Sequence, residues 1–155
     1  TTGSFHNDYR ITNELIGFIP NLPEAQDTLR THYTPSYFKW RYAANPNDEY
    51  LSLRNSGGDF SYAGFFRLKK FRFGTEFRIC DHFIKGNALD LFKRHLWEVV
   101  AESGANLITA NTLTSLPGFI RLPIGPTVTL NFLSDKIIRL NFQTWKPSLG
   151  DLEMF

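Results

Sequence analysis

The sequence predicts an α/β (α+β) fold with a mixed, mostly antiparallel central sheet of about six to seven strands flanked by helices. One observation is a series of aromatic-rich, alternating segments separated by short turns, which is typical of an antiparallel meander. The other is the segment 76–111, which has the pattern of a buried strand, a turn, an amphipathic helix and a second buried strand. The length of 155 residues, of which 42% are hydrophobic, suits one globular domain with a real core.

Composition excludes several classes of protein. The formal charge of +2 is too small to imply a nucleic-acid partner, and the single cysteine, Cys80, excludes an internal disulfide framework. No apolar run approaches the roughly 18–20 residues of a membrane span. We therefore expect a cytoplasmic protein with no membrane, nucleic-acid or metal partner. We expect residues 1–155 to form a single domain because of their length. The chain starts without Met, so this domain is expected either alone or as a fragment of a longer, two-domain protein.

The first part of the chain predicts a strand followed by two short helices. Weak alternation predicts the strand at Tyr9–Pro20. One helix is predicted to open at Pro23, and a second is predicted at Ser36–Tyr42. Thr34 suits the N-cap of the second helix because its hydroxyl can accept a backbone hydrogen bond, and Pro35 suits the first helical position.

Three strands in an antiparallel meander are predicted next. They span Glu49–Asn55, Phe60–Phe73 and Glu76–Phe83, and turn residues separate them. Gly64 is a candidate β-bulge, where the backbone must come close to another group. The basic residues of the meander have two interpretations, a solvated sheet face or a polyanion-binding groove. They are Arg54, Arg67, Lys69, Lys70, Arg72 and Arg78.

A long amphipathic helix is predicted after the meander. Asn87 suits its N-cap, Asp90 places a negative charge in its first turn, and Gly104 is suited to its end. The apolar residues recur at the spacing of one helix face. They are Leu89, Phe92, Leu96, Val99 and Val100.

The chain after this helix predicts further strands. Ala105–Ala110 reads as a buried strand, and the helical connection implies that it pairs in parallel with Glu76–Phe83. Residues 111–126 contain three prolines and two glycines, which argue against a full-length helix. Two closing strands are predicted at Thr127–Leu133 and Ile137–Trp145.

Two stretches of the sequence, together with the order of the elements, carry a resemblance to a known family. TPSYFKWRYAANPNDEY at 34–50 and TWKPSLGDLEMF at 144–155 are similar to motifs of GNAT-like domains in polysaccharide-associated acyltransferases, several of which contain two GNAT halves. The order of predicted elements also resembles the GNAT N-acetyltransferase fold. The resemblance implies an acyl-CoA-dependent N-acetyltransferase that acts on a small amine or amino-sugar acceptor.

The resemblance also implies a place for acetyl-CoA. GNAT enzymes hold it where the fourth and fifth strands splay apart, with pantetheine amides paired to the fourth strand and the pyrophosphate cradled by backbone amides of the next loop. The equivalent loop here contains Phe83, Ile84, Lys85, Gly86 and Asn87. It keeps one glycine and one lysine but lacks the repeated glycines of the family. The alternative is therefore a degenerate, non-catalytic GNAT-like module that binds no cofactor and either packs on a partner domain or binds an acceptor. The partner domain would be a second GNAT-like domain or a second copy in a homodimer.

Polar residues near the splay are the catalytic candidates that the resemblance implies. Acetyl transfer requires the acceptor amine to lose a proton and the CoA thiolate to gain one. Asp81 and His82 end the fourth predicted strand, and Asn111 and Ser115 follow the fifth. The alternative roles are a cap on backbone amides for Asp81 and an ordinary half-buried imidazole for His82.

Trp40, Arg41 and Tyr42 fall on the acceptor side of the implied fold. An aromatic ring and a cation there can hold a sugar or a carboxylated acceptor. Core and rim packing is the alternative, and we expect it for Trp40 but not for Arg41. A carbohydrate- or polyanion-binding module is a third functional class that this aromatic and basic composition allows.

Overall fold

A four-stranded sheet forms the centre of the part of the chain that the structure describes. The structure is a computed structural model, and it describes residue 5 and residues 8–19, 32–55 and 60–110. The strands lie side by side in chain order. They are β1 (Leu51–Arg54), β2 (Tyr62–Phe71), β3 (Gly74–Ile84) and β4 (Leu107–Ala110). β1, β2 and β3 pair antiparallel and β4 pairs parallel to β3, so the predicted mixed, mostly antiparallel sheet is confirmed.

Helices lie before the meander and between β3 and β4. Within the described ranges they are α1 (Asn13–Phe18), α2 (Pro35–Phe38), a π-helical turn (Lys39–Ala43) that continues α2, and α3 (Leu89–Ser103). The predicted start of α2 is confirmed, because the Thr34 hydroxyl accepts a hydrogen bond from the Tyr37 amide at 3.1 Å. Pro35 occupies the first helical position, where its missing amide costs no hydrogen bond.

The strand predicted at Tyr9–Pro20 is wrong, because this stretch contains α1. Thr12 caps the helix, and its hydroxyl accepts a hydrogen bond from the Leu15 amide at 3.4 Å. Leu15, Ile16 and Ile19 are buried at a spacing that places them on one helix face. Leu15 and Ile19 also fit the weak alternation of this stretch, so the pattern did not separate a helix from a strand.

α3 has the predicted apolar face and the predicted end. Its buried residues are Phe92, Leu96, Val99 and Val100. Gly104 closes the helix with φ of 66°, a left-handed conformation that glycine adopts without strain. The predicted N-cap, Asn87, is wrong, since Ala88 holds that position without a side-chain hydrogen bond. Asn87 lies instead in the exposed turn that follows β3.

The sheet separates two hydrophobic cores, and alternate strand residues supply them. The α3-side core contains Phe5, Leu51, Leu53, Tyr62, Phe66, Phe77, Ile79, Phe92, Leu96, Val99 and Val100. The α2-side core contains Leu15, Ile16, Ile19, Phe38, Tyr42, Tyr50, Phe60, Ala63, Phe65 and Cys80. The position of a residue along β3 therefore decides which core its side chain faces.

The basic residues of the meander do not form one exposed face. Arg67 is buried and lies 2.6 Å from the Asp48 carboxylate, and the Arg78 guanidinium lies 3.0 Å from Glu76. The prediction of an exposed basic face is therefore wrong for Arg67, whereas Arg78 is partly exposed and ion-paired. The cations that stay exposed lie near the β2–β3 turn. They are Lys69, Lys70 and Arg72.

The remaining predicted elements lie outside the described residues. They are the helix from Pro23, the irregular segment 111–126 and the strands Thr127–Leu133 and Ile137–Trp145. In the ranges that the structure does describe, no helix has the length and apolar character needed to cross a bilayer.

Candidate functional site

β3 carries an extra residue at Cys80. Phe65 of β2 lies opposite Asp81, whereas the next residue, Phe66, lies opposite Ile79, so one step along β2 matches two steps along β3. This irregularity is a β-bulge. It places Cys80 and Asp81 on the same side of the sheet, toward the α2-side core. Regular alternation from Ile79 would have turned Asp81 toward α3.

The bulge predicted at Gly64 lies one residue further along β2, and the extra residue belongs to β3. The close approach expected at Gly64 is confirmed. A Cβ atom there would lie 3.2 Å from Cε2 of Phe92, so α3 packs directly against the sheet at this position. A side chain at Gly64 would push α3 away from β2.

β3 continues beyond its described pairing with β4. β3 extends to Ile84, and its pairing with β4 is described as far as Ile79, which lies opposite Ala110, the last residue that the structure describes. The Lys85 amide donates a hydrogen bond to the Ser61 carbonyl at 2.8 Å, on the β2 side. Because successive amides of a strand point to opposite sides, the amides of His82 and Ile84 point toward the β4 side.

The loop from β3 to α3 contains the residues predicted to bind a cofactor. Lys85, Gly86 and Asn87 are exposed, and Gly86 has φ of 58°. Phe83 and Ile84, at the end of β3, are partly buried and pack against opposite cores. The solvent-facing part of this loop is therefore the Lys85–Asn87 turn directly before α3.

Asp81 is held by two tyrosine side chains on the α2 side of the sheet. The Tyr42 hydroxyl donates a hydrogen bond to one carboxylate oxygen, and the Tyr33 hydroxyl donates to the other at 3.3 Å. Asp81 is only 4% exposed. Side chains that are distant in the chain therefore hold Asp81 in place.

Tyr42 is a poor source of protons in this environment. Its burial, with the Asp81 carboxylate beside it, raises the pKa of Tyr42 well above its ordinary value. We conclude that the Tyr42 hydroxyl keeps its proton and donates it in the hydrogen bond to Asp81. The Tyr42 ring is held in place by stacking on Phe65, with centroids 4.4 Å apart and an angle of 5° between the planes.

His82 faces the opposite side of the sheet from Asp81. Its ring stacks on Phe92 with centroids 5.5 Å apart, between β3 and α3. Burial lowers the pKa of His82 to about 4, so the imidazole is neutral near neutral pH and is a weak base. The two adjacent catalytic candidates therefore do not come together in one constellation.

The buried state of His82 predicts a pH dependence of stability. Its pKa rises from about 4 in the folded protein to the ordinary 6.5 on unfolding, so the unfolded chain binds the additional proton. Above pH 6.5, protonation of His82 should not lower the free energy of unfolding. As the pH decreases from 6.5 toward 4, the free energy of unfolding should fall by about 2–3 kcal/mol. Urea unfolding at a series of pH values measures this loss.

The matched variants for this prediction are His82→Leu and His32→Leu. His82→Leu should flatten most of the pH profile, and His32→Leu, at an exposed position, is the control substitution. Burial also lowers the pKa of His95, so a smaller loss of the same sign should remain in His82→Leu. A pH profile that is identical in wild type and His82→Leu would contradict the assignment.

The acceptor-side candidates Trp40, Arg41 and Tyr42 belong to the π-helical turn that continues α2. The Ala44 amide donates to the Lys39 carbonyl at 2.8 Å, which adds one residue to the helical turn. Arg41 points inward and is 6% exposed, with its guanidinium carbon 5.7 Å from the Tyr42 ring centroid and 5.4 Å from that of Tyr50. The expectation that Arg41 is not a packing residue is therefore wrong.

Trp40 points outward from the same turn. It is 66% exposed, and its ring lies 6.0 Å from that of Tyr37. The expectation that Trp40 packs in the core or at its rim is wrong, because helical periodicity from the buried Phe38 places Arg41 and Tyr42 on the inward face and Trp40 on the outward face. Trp40 is thus the acceptor-side candidate that a ligand can reach.

A cavity of about 440 Å³ opens beside the π-helical turn, and sequence reasoning missed it. Tyr42 and Tyr50 contribute to its lining. The side-chain oxygen of Asn45 shapes the adjacent turn by accepting hydrogen bonds from the amides of Asn47 at 2.9 Å and Asp48 at 3.1 Å. The sequence Asn-Pro-Asn-Asp of this turn predicts a loop, but it does not predict that the loop borders a cavity.

The remaining candidates, Asn111 and Ser115, lie outside the described residues. Within the described ranges, no group of three or more His, Cys, Asp or Glu side chains is arranged to hold a metal ion.

No protein-family model, curated protein or solved structure matches this chain.

Proposed function

We propose that this chain is a GNAT-like, acyl-CoA-dependent N-acetyltransferase domain that binds acetyl-CoA along β3 beyond the bulge. One observation carries the proposal. β3 carries a bulge at Cys80, and an exposed glycine turn and the start of α3 follow directly after its last residue, Ile84. The end of the fourth predicted strand, next to a helix N-terminus, is where the resemblance expects the cofactor.

The residues along this edge have the chemistry that acetyl-CoA requires. The amides of His82 and Ile84 point to the β4 side, where they can pair with pantetheine amides. Lys85 supplies a positive charge for the pyrophosphate, and the left-handed Gly86 lets backbone amides turn toward it. The bound cofactor would supply the acetyl thioester that an acceptor amine attacks.

The acceptor is proposed to approach over Trp40, and it is a small amine or an amino sugar. The exposed indole offers a flat apolar surface beside Tyr37, on the same side of the sheet as Asp81. Sugar rings pack well on such surfaces because one face of the ring is apolar. Asn111 and Ser115 stay catalytic candidates, Asn111 through hydrogen bonds and Ser115 through its hydroxyl.

A degenerate, non-catalytic GNAT-like module is the second candidate, and one observation favours it. Both catalytic candidates of β3 are engaged in packing, Asp81 by two tyrosine hydroxyls and His82 by Phe92. Neither of them is an accessible base. This candidate predicts no heat of binding when a well-folded protein is titrated with acetyl-CoA.

Calorimetric titration with acetyl-CoA tests the proposal. We expect saturable binding, and we expect Lys85→Ala to weaken it by about tenfold, the loss typical of one charge-assisted hydrogen bond. Lys70→Ala is the matched control, because Lys70 is an exposed lysine near the opposite end of β3. Equal weakening by both variants would show a general charge effect and contradict the proposed site.

A further inference from the structure

The turn between β2 and β3 exposes two phenylalanine rings among three cations. We define residues 69–73 as the hairpin tip. Phe73 is 80% exposed and Phe71 is 41% exposed. The cations Lys69, Lys70 and Arg72 are exposed as well. Large apolar rings in water are unfavourable, and an exposed apolar cluster edged by charge is typical of a contact surface.

The connection from α3 to β4 fixes the base of the hairpin tip. The Thr75 amide donates a hydrogen bond to the Asn106 side-chain oxygen at 3.0 Å, and the Asn106 amide donates to the Thr75 carbonyl at 2.9 Å. Gly74 has φ of 154°, and a Cβ atom there would overlap Asn106. The tip therefore projects from an anchored base.

The tip residues have a defined order along the hairpin axis. Arg72 and Phe73 form the turn, Phe71 belongs to the last strand pair, and Lys70 lies one residue behind it. The aromatic rings are thus at the far end, and the lysine side chains follow about 3–7 Å behind. The Arg72 guanidinium lies 5.2 Å from the Phe73 ring centroid, so this cation and this ring meet a surface together.

We propose that the hairpin tip binds the surface of an anionic phospholipid bilayer. In that contact the phenylalanine rings enter the boundary between headgroups and acyl chains, and the cations meet the lipid phosphates. Along the hairpin axis the phenylalanine rings lie ahead of the lysines, just as the acyl-chain boundary lies deeper in the bilayer than the lipid phosphates. The contact is peripheral and independent of the proposed acetyl-CoA site, since Lys85 and the tip lie at opposite ends of β3.

Charge distribution favours a bilayer over a nucleic acid. A single-stranded nucleic acid is bound along an extended cationic groove. Here Arg67 and Arg78, the next cations back along β2 and β3, are paired with Asp48 and Glu76. On these two strands, the exposed positive charge is therefore concentrated at the tip, which suits a locally flat anionic surface.

Vesicle sedimentation tests this proposal. We expect the protein to sediment with vesicles of one part phosphatidylglycerol to two parts phosphatidylcholine, and not with pure phosphatidylcholine vesicles. Each cation near an anionic surface is worth about fivefold in partitioning, so Lys70→Gln with Arg72→Gln should reduce binding by about 25-fold at low salt. Phe73→Ser should reduce binding by about tenfold or more, because the inserted ring is lost.

The controls are Trp40→Ser and Lys85→Ala, which remove an exposed ring and an exposed lysine elsewhere on the molecule. Both should bind anionic vesicles as wild type does, and unchanged thermal midpoints will show that every variant is folded. Equal losses in tip and control variants would overturn the proposal. Binding to single-stranded DNA or to an acidic peptide with the same tip dependence, and without vesicle binding, would overturn it as well.

Discussion

Phe65→Ala lowers the free energy of unfolding by about 3–5 kcal/mol, the range for a large aromatic side chain removed from a packed core. Phe65 is 0% exposed, and its ring stacks against both Phe38, at 5.3 Å, and Tyr42, at 4.4 Å. The cavity that alanine leaves would separate α2 from the sheet. Urea unfolding, monitored by tryptophan fluorescence and circular dichroism, measures the loss.

Phe71→Ala is the matched control for this prediction. The two phenylalanines belong to the same strand, but Phe71 lies at the exposed hairpin tip. Its loss should change the free energy of unfolding by less than about 0.5–1 kcal/mol. Similar losses in the two variants would contradict the assignment of Phe65 to the α2-side core.

Asp81→Ala lowers the free energy of unfolding by about 3–5 kcal/mol, because two hydrogen bonds to a buried charge are lost together. Tyr42 is left with a buried hydroxyl that no longer has Asp81 as its acceptor, and the Tyr33 hydroxyl loses the same acceptor. Tyr42→Phe removes one of the two bonds and should cost about 1–2 kcal/mol. Urea unfolding of the two single variants and the double variant measures these losses.

The double variant separates this contact from unrelated effects. Asp81→Ala with Tyr42→Phe should be more stable than the sum of the single losses predicts, by about 1 kcal/mol or more. Additive losses would show that the two side chains act independently. Full stability of Asp81→Ala would contradict a structural role and would return Asp81 to the catalytic candidates.

The sequence predicts best those elements whose signals are local. α3 is specified by its apolar spacing and by Gly104, and the meander is specified by alternation and turns, so both were predicted with small errors at the ends. The parallel pairing of β4 with β3 followed from the helix between them. α1 was missed because a six-residue helix satisfies a weak strand pattern as well.

The candidate site was less predictable because it depends on irregularities and on distant contacts. One extra residue at Cys80 decides that Asp81 faces the α2 side, and it leaves the local composition unchanged. Arg41 lies on the buried face of its helical turn although it is charged, because aromatic rings of Tyr42 and Tyr50 surround its guanidinium. The tyrosine partners of Asp81 lie 39 and 48 residues away in the chain, where periodicity carries no information.

Hydrogen exchange of the β3 amides with and without acetyl-CoA tests the central proposal most directly. If pantetheine pairs with the β3 edge beyond the bulge, the amides of His82 and Ile84 should exchange at least about tenfold more slowly at saturating cofactor. The Phe83 amide, which points toward β2, should change little. Saturable binding that leaves His82 and Ile84 unchanged would contradict the proposed site.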